Sequence, residues 1–238
     1  MVVFLGSRLS DNEKSLLSCL GKVEFWVNGK RSLGSGNIIK SPHIPLIATA
    51  AHCIYDWEAQ SFYEQIAFLP YVEGKDFCIS FKPVLATIPR VWAEQGAVEY
   101  DTGFLVLESR FEANSNYYKY AVPAAFNISR NLDYWVCGFQ NRLFPAKKPL
   151  INQGVAQRDR FKNSSLQGIS CKGKSGMSGG PWITKHKGVY VQNSVSSLSM
   201  KSVKNTLWGP YWGETIEAAY QVASGCLSAD PRVLVHKY

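Results

Sequence analysis

The sequence predicts an all-β fold made of many short antiparallel strands, arranged as a barrel or a sandwich. Short runs of β-branched and aromatic residues recur along the 238-residue chain, turn residues separate them, and helical periodicity is scarce. Because 46% of the residues are apolar and only 18% are charged, the chain can bury a large core. This composition excludes global disorder and a highly charged coiled coil.

The predicted elements follow one another in a simple order. A short helix begins at Ser10 and ends at Gly21, and residues 23–27 form a strand that leads into an Asn28-Gly29 hairpin turn. Further strands are predicted at residues 46–49, 66–72, 77–87, 104–107, 134–139, 166–171, 182–184 and 189–195. A second helix covers residues 214–224, because acidic residues occupy its first turn and Gly225 follows its end.

The polar segment 109–116 is predicted to separate two β units, residues 1–116 and residues 117–238. The first carries 10 basic and 13 acidic side chains, a net charge of −3, and the second 16 basic and 5 acidic ones, a net charge of +11. The lysines of the second unit are dispersed. They can be solvated residues on strand edges, or they can attract an acidic substrate. Nucleic-acid binding is disfavoured, because no zinc-finger, helix-turn-helix or RNA-recognition signature accompanies the charge.

The N-terminal segment and the cysteines bear on the compartment. The apolar run at residues 1–5 is shorter than the about 7–15 residues of a signal-peptide core, so the chain as written is expected in the cytoplasm, or outside the cell if a leader was trimmed. No run approaches the roughly 18 apolar residues of a membrane span, and no membrane partner is expected. Six cysteines leave the disulfide pairing open, and without a C-x-x-C pair no structural zinc site is expected. No other metal and no cofactor is expected.

Three local patterns carry residues suited to chemistry. His52 follows an apolar strand, Asp101 directly precedes another, and Ser178 lies in the glycine-rich segment 173–182. A serine hydroxyl becomes a nucleophile when a base removes its proton and a third group orients that base. His52 can be the base and Asp101 the orienting group, while the Gly176 and Ser178 amides can point toward one developing oxyanion. Each residue alone is more often structural, but the three together in this order point to a hydrolase.

These patterns resemble the motifs of the chymotrypsin-like serine proteases: TAAHC at residues 49–53, DTGFLVLE at 101–108 and GMSGGPW at 176–182. Segments 34–39, 52–56 and 209–213 are similar to the bacterial branch that contains the glutamyl endopeptidases, and the resemblance covers most of residues 22–225. It implies two six-stranded antiparallel β-barrels and a C-terminal helix, with His52 and Asp101 on the first barrel and Ser178 on the second. It also implies a monomeric serine endopeptidase that forms an acyl-enzyme with protein or peptide substrates.

The specificity positions depart from the trypsin pattern. Lys172 stands six residues before Ser178, where trypsin-like enzymes carry the acid that binds lysine or arginine, so cleavage after a basic residue is disfavoured. Asn193 stands where glutamyl endopeptidases place a histidine, and segment 193–196 is expected to lie beside the substrate backbone. An acidic or small polar residue is expected before the cleaved bond. The resemblance assigns substrate binding to Lys172, Lys174, Ser175, Asn193 and Ser194.

Two further departures concern covalent and activation chemistry. Trypsin relatives pair the cysteine after the catalytic histidine with another sixteen residues earlier, and Asn37 stands at that position relative to Cys53. Trypsin-like zymogens carry an aspartate before the nucleophile, which pairs with a newly cut N-terminus, and here that residue is Met177. Activity is therefore expected without N-terminal processing of the trypsin kind.

Two alternative functions compete with this interpretation. Residues 176–180 also fit the G-x-S-x-G elbow of α/β-hydrolases, with Asp230 and His236 as partners of Ser178. An elbow needs a helix after its serine, however, and Pro181 with the β-rich residues beyond it does not continue one. The other alternative is a non-catalytic protein-binding module on the protease scaffold, against which the complete set of catalytic residues argues.

Overall fold

The computed structural model of the chain describes residues 16–44, 46–73, 77, 79–108, 118–141, 148–159 and 164–238. The strands up to residue 107 are β1 (Leu20–Val27), β2 (Lys30–Lys40), β3 (Leu46–Thr49), β4 (Tyr55–Asp56), β5 (Ser61–Phe62), β6 (Ile66–Pro70), β7 (Pro83–Pro89) and β8 (Gly103–Leu107). The later strands are β9 (Val122–Pro123), β10 (Asp133–Gly138), β11 (Leu150–Val155), β12 (Gln157–Arg158), β13 (Gln167–Ser170), β14 (Pro181–His186), β15 (Val189–Val195), β16 (Thr206–Gly209) and β17 (Val233–Lys237). The helices are α1 (Arg90–Gln95) and α2 (Glu214–Ala223), with 3₁₀ turns at Ala51–Cys53 and Val98–Tyr100.

The largest sheet contains eight strands and carries the first core. Its order is β17-β7-β8-β3-β2-β1-β6, with β9 beside β2. The β1–β2 hairpin turns at Asn28 and Gly29, which both have positive φ, as a two-residue turn of this kind requires. Reciprocal backbone hydrogen bonds between Phe68 and Phe81 connect β6 to the segment before β7, so the sheet curves around its buried aromatic and aliphatic side chains.

The later half of the chain forms a four-stranded sheet, β11-β10-β14-β15, and a three-stranded sheet, β12-β13-β16. Tyr134, Ile169, Trp182 and Leu207 are buried between them. Strand β14 begins at Pro181, so a strand rather than a helix follows Ser178. That arrangement excludes the α/β-hydrolase elbow, which requires a helix at this point.

The C-terminal segment packs against the first sheet. The buried face of α2 contacts Phe104 and strands β7 and β8, and the Thr87 hydroxyl donates a hydrogen bond to the Ala219 carbonyl at 2.9 Å. After α2 the chain continues into β17, which pairs antiparallel with β7. Asp230 forms an ion pair with Arg232 and His236 stacks on Phe62, so neither is placed as a partner of Ser178.

These elements confirm the predicted all-β class with a C-terminal helix, and they correct several boundaries. Gly21 lies within β1 instead of ending a helix, and most of the predicted N-terminal helix falls outside the described residues. The segment 77–87 forms a strand only from Pro83 onward. The boundary near residue 116 also lies outside the described residues, so the two-unit division stays a prediction; β9 and β17 of the second range join the sheet of the first. No helix in the described ranges is long and apolar enough to cross a membrane.

Candidate active site

His52 and Asp101 are brought together by the pairing of β3 with β8. Thr49 at the end of β3 lies opposite Gly103 at the start of β8. His52 lies three residues beyond Thr49, in a 3₁₀ turn, and Asp101 lies two residues before Gly103. The antiparallel register therefore places both residues at the same edge of the sheet, which the sequence shows only as two separate motifs.

Asp101 fixes the His52 side chain through two hydrogen bonds. The His52 backbone N–H donates to Asp101 Oδ1 at 2.9 Å, and imidazole Nδ1 lies 2.7 Å from Oδ2. The Ser197 hydroxyl donates to the same Oδ2 at 2.5 Å. Asp101 is buried, whereas the His52 side chain remains 35% exposed. The carboxylate thus binds imidazole Nδ1, which leaves the other ring nitrogen, Nε2, for a neighbouring group.

The electrostatics of this pair favour a protonated imidazole. Burial disfavours the charged form of His52, but the charge of Asp101 and its hydrogen bond outweigh burial and raise the pKa of His52 well above its usual value. Burial likewise opposes ionisation of Asp101. The charge of His52 and the hydrogen bonds from His52 and Ser197 outweigh it, so the pKa of Asp101 lies below its usual value. The pair is therefore suited to accept a proton on the imidazole.

The Ser178 loop is anchored to the first sheet beside His52. The Ser35 N–H of β2 donates to the Ser178 carbonyl at 2.7 Å, and Cys53 Sγ lies 3.9 Å from the same oxygen. Gly179 adopts a positive φ of 80°, and a Cβ there would collide with the Ser35 carbonyl. Only glycine allows this close approach, which places Ser178 against the turn that carries His52.

The backbone amides around Ser178 divide into bonded and free groups. The N–H groups of Met177, Gly179 and Gly180 donate to the carbonyls of Lys174, Ser196 and Met177. The N–H groups of Gly176 and Ser178 donate to no described residue, and the Ser178 hydroxyl likewise makes no hydrogen bond to one. Two free amides two residues apart, with a free hydroxyl on the second, form an arrangement suited to an anionic oxygen.

The direction of the Gly176 amide is set by the peptide that contains it. The Asn141 N–H donates to the Ser175 carbonyl at 2.7 Å. Because C=O and N–H point to opposite sides of a trans peptide, this bond turns the Gly176 N–H away from Asn141. Gly176 has a φ of 92°, and a Cβ there would lie 2.5 Å from the Asn141 nitrogen, so this conformation requires glycine.

Ser35 fixes the next peptide of the loop. Its hydroxyl donates to the Gly176 carbonyl at 2.7 Å and accepts from the Phe139 N–H at 2.8 Å. The Met177 side chain is buried in the apolar core of the later sheets. Neutral hydrogen bonds and apolar packing therefore hold this loop where trypsin-like zymogens are expected to use an aspartate.

We expect Ser35→Ala to weaken both folding and turnover. The change leaves the Phe139 N–H and the Gly176 carbonyl without their partner in a buried site, which lowers the free energy of unfolding by about 2 kcal/mol. Because the loop also carries the free amides, kcat should fall about tenfold with little change in KM. Denaturant unfolding and steady-state kinetics measure the two effects.

Ser41→Ala is the matched control. The Ser41 hydroxyl also bridges a carbonyl and an N–H, but both belong to Ile44 and neither to the Ser178 loop. We expect this variant to lose stability while kcat stays unchanged. Equal kcat in the Ser35 and Ser41 variants would contradict a positioning role for Ser35.

A cavity of 250 Å³ opens beside Ser178. One side is formed by the Ser178 loop, with Gly173, Lys174, Ser175 and Met177. The opposite side is formed by Ser197, Leu198, Ser199 and Leu207. No carboxylate of the described chain lines this cavity, and no group of three or more His, Cys, Asp or Glu residues within the described ranges is placed to hold a metal ion.

The structure brings only some of the predicted substrate-binding residues to this cavity. Lys174 and Ser175 line it, and exposed Lys172 lines a neighbouring cavity instead. Asn193 and Ser194 line neither, because both are buried in β15; the Ser194 hydroxyl donates to the Pro210 carbonyl at 2.6 Å.

The segment that faces the cavity starts four residues later than predicted. The backbone of residues 193–196 is occupied by β14 and the Ser178 loop, for example through the Ser196 N–H, which donates to the Gly180 carbonyl at 2.8 Å. Ser197 is the serine whose hydroxyl reaches Asp101, and residues 197–199 line the cavity. Four serines stand close together at residues 194–199, and only the contact with Asp101 distinguishes Ser197 among them.

The structure places Gly34, and not Asn37, opposite Cys53. A Cβ on Gly34 would lie 2.6 Å from Cys53 Sγ, so Gly34 occupies the place that faces this thiol. Asn37 instead donates from Nδ2 to Gln192 Oε1 at 2.9 Å. The described cysteines, at positions 19, 53, 137, 171 and 226, are all free thiols.

Comparison with known proteins assigns a family to this fold and site. No protein-family model and no curated protein sequence matches the chain. Among solved structures, the chain is similar to a thermostable serine protease, AL20, from an extremophilic microorganism, with 30% identity, a TM-score of 0.79, and coverage of 90% of this chain and 100% of that one. It is also similar to the protease Anisep from Arthrobacter nicotinovorans, with 28% identity, a TM-score of 0.77, and coverage of 89% and 97%.

A Glu endopeptidase shares the fold at 14% identity, with a TM-score of 0.69 and coverage of 94% of this chain and 100% of that one. The mostly β-strand architecture of the chain, with few helices, matches these β-barrel proteases. The chain belongs to the chymotrypsin-like serine protease family.

Proposed function

We propose that the protein is a serine endopeptidase that hydrolyses peptide bonds in proteins through an acyl-enzyme, with Ser178 as nucleophile, His52 as base and Asp101 as its orienting group. The observation that carries this proposal is the Ser178 loop, in which the hydroxyl of Ser178 and the amides of Gly176 and Ser178 make no hydrogen bond to the described part of the chain. Family membership supports the proteolytic class. The fixed His52–Asp101 pair supports the catalytic assignment.

The proposed reaction uses the chain's own groups at each step. Ser178 Oγ attacks the carbonyl carbon while His52 Nε2 accepts its proton, and the Gly176 and Ser178 N–H groups bind the oxyanion. The C–N bond then breaks as the imidazolium gives its proton to the leaving amine. Water, deprotonated by His52, attacks the acyl ester, and Ser178 regains its proton when the acid product leaves. Each amide donor contributes about 3 kcal/mol to the transition state.

The missing Ser178–His52 hydrogen bond is compatible with this scheme. In enzymes without substrate, such bonds are often long or poorly aligned and shorten when substrate binds. The anchoring of the Ser178 carbonyl to Ser35, next to the His52 turn, supports a short approach between the two side chains.

We also propose that the residue before the cleaved bond is not lysine or arginine. The cavity beside Ser178 has Lys174 in its lining and no carboxylate of the described chain. A basic substrate side chain would be desolvated next to Lys174 without a partner, which is unfavourable. Cleavage products of a peptide library, read by mass spectrometry, give the preference directly.

Covalent labelling tests the proposed function. The intact protein, without proteolytic treatment, is incubated with a fluorophosphonate probe, and the labelled peptide is identified by mass spectrometry. We expect label on Ser178, lost in Ser178→Ala and retained in Ser170→Ala, since Ser170 is an exposed serine of β13 outside the cavity. An unlabelled, folded protein would instead favour the non-catalytic binding module. Labelling of the untreated protein would also support activity without N-terminal processing.

A further inference from the structure

A second cavity adjoins the one beside Ser178. It has a volume of 260 Å³ and shares Gly173 and Ser199 with the first cavity. Three exposed lysines line it: Lys172, Lys201 and Lys204. None of them forms an ion pair with a described residue, so this cavity is positively charged and free of compensating carboxylates.

The side chains of Ser199 and Leu207 lie against Gly173, a residue that lines both cavities. A Cβ placed on Gly173 would lie 2.5 Å from Ser199 Oγ and 3.2 Å from Leu207 Cδ1. There is thus no free space between the Gly173 backbone and these two side chains. Thr206, next to Leu207, already faces the second cavity, whereas Leu207 faces the first. We call Ser199 and Leu207, with Gly173, the partition.

The leucine of the partition is held rigidly by the core. Leu207 is 4% exposed, lies in β16 opposite Ile169 of β13, and belongs to the buried cluster that contains Met177 and Trp182. Side chains packed in this way do not move aside without a cost in packing energy. A substrate side chain therefore meets a fixed leucine, with the exposed Ser199 hydroxyl beside it.

We infer that Leu207 and Ser199 determine specificity by restricting the residue before the cleaved bond to a short side chain and by separating it from the lysines of the second cavity. This inference rests on the proposed function and narrows its substrate class. Leu198 and Met177 also line the first cavity and favour an apolar group. A longer side chain needs the space that the partition occupies, and Lys172, Lys201 and Lys204 are the charged residues that line the second cavity.

Three peptides that differ only in the residue before the cleaved bond test this inference. Alanine represents a short uncharged side chain, glutamine a long uncharged one, and glutamate a long one with charge. For the unaltered protein we expect kcat/KM for alanine to exceed that for glutamine and glutamate at least about tenfold. Lys174 lines the first cavity in the unaltered protein and in the variants alike, so the ratio of kcat/KM for glutamate to that for glutamine in the unaltered protein is the baseline for the next comparison.

Opening the partition should change this order. In Leu207→Ala and in Ser199→Gly, which removes only an exposed hydroxymethyl group, we expect kcat/KM for both long residues to rise about tenfold relative to alanine. The rise should be larger for glutamate than for glutamine. Adding Lys172→Ala and Lys204→Ala should remove this extra rise for glutamate but keep the gain that both share.

Leu166→Ala is the matched control, because Leu166 is equally buried in the later half and lines neither cavity. It should lose stability and keep the substrate order. The inference is overturned if the unaltered protein prefers glutamate to alanine, or if folded variants that still react with a fluorophosphonate keep the original order. Absence of both labelling and cleavage in the unaltered protein instead overturns the proposed function, and the inference with it.

Discussion

Replacing Ser178 with alanine is expected to lower kcat/KM about 10⁶-fold, the effect of removing the nucleophile in enzymes that work by acyl transfer. The loop should keep its conformation, because its anchors are the Ser178 carbonyl, the Gly176 carbonyl and the buried Met177 side chain, none of which the change removes. Stability should stay within about 0.5 kcal/mol. A fluorogenic peptide assay and thermal unfolding measure the two quantities.

A parallel substitution shows whether the loss is specific to this hydroxyl. Ser170→Ala removes an exposed serine hydroxyl from β13 and should leave kcat/KM unchanged. Residual activity in Ser178→Ala above about one thousandth of the original would argue that another group is the nucleophile.

Asp101→Asn is expected to lower kcat about 10⁴-fold while the fold is retained. The asparagine carboxamide can still accept from the His52 backbone N–H. Its NH₂ group would instead face Nδ1 and favour the imidazole tautomer that carries its proton on Nε2, where the Ser178 proton must be received. The expected loss is thus in kcat, with KM changing little.

The pH dependence of Asp101→Asn provides a second readout. His52 acts as a base only when neutral, so kcat/KM falls as pH drops through the pKa of His52 in the free enzyme. Asp101 raises that pKa, so the acid limb of the profile should lie above the ordinary value of 6.5. Removing the carboxylate charge lowers the pKa of His52, and the acid limb should move to lower pH.

Asp133→Asn is the matched control, since Asp133 is an exposed carboxylate that accepts only a side-chain hydrogen bond from Gln153 at 3.2 Å. It should leave the acid limb in place. An acid limb that stays at the same pH in Asp101→Asn would mean that the limb reports another group.

Some strands could be predicted from the sequence and others could not, because their sequence signals differ. Strands at 46–49 and 189–195 were predictable to the residue, since apolar β-branched runs bounded by turn residues favour strands wherever they lie. Strand β2 (Lys30–Lys40) was not predicted, because it is rich in glycine and serine and pairs through its neighbours. Strand β17 was not predicted either, because pairing with β7, about 145 positions away, decides its conformation.

The catalytic candidates could be read from the sequence, because each lies in a local motif whose chemistry depends on adjacent residues. His52 follows a strand, Asp101 precedes one, and the glycines around Ser178 are required by its tight loop. The pocket could not be read in the same way. Its walls come from the Ser178 loop, the segment after β15 and strand β16, which only sheet pairing brings together.

The sequence by itself therefore determined the all-β class, the C-terminal helix and the three residues proposed for catalysis. Tertiary structure decided which serine reaches Asp101, how Ser35 holds the Gly176 carbonyl, and that Gly34 rather than Asn37 faces Cys53. It also decided that Leu207 lines the cavity beside Ser178, whereas Lys172, Lys201 and Lys204 line the neighbouring one. The physical reason is separation along the chain. The residues of a catalytic motif are neighbours in the sequence, whereas cavity walls and hydrogen-bond partners depend on the register between distant strands.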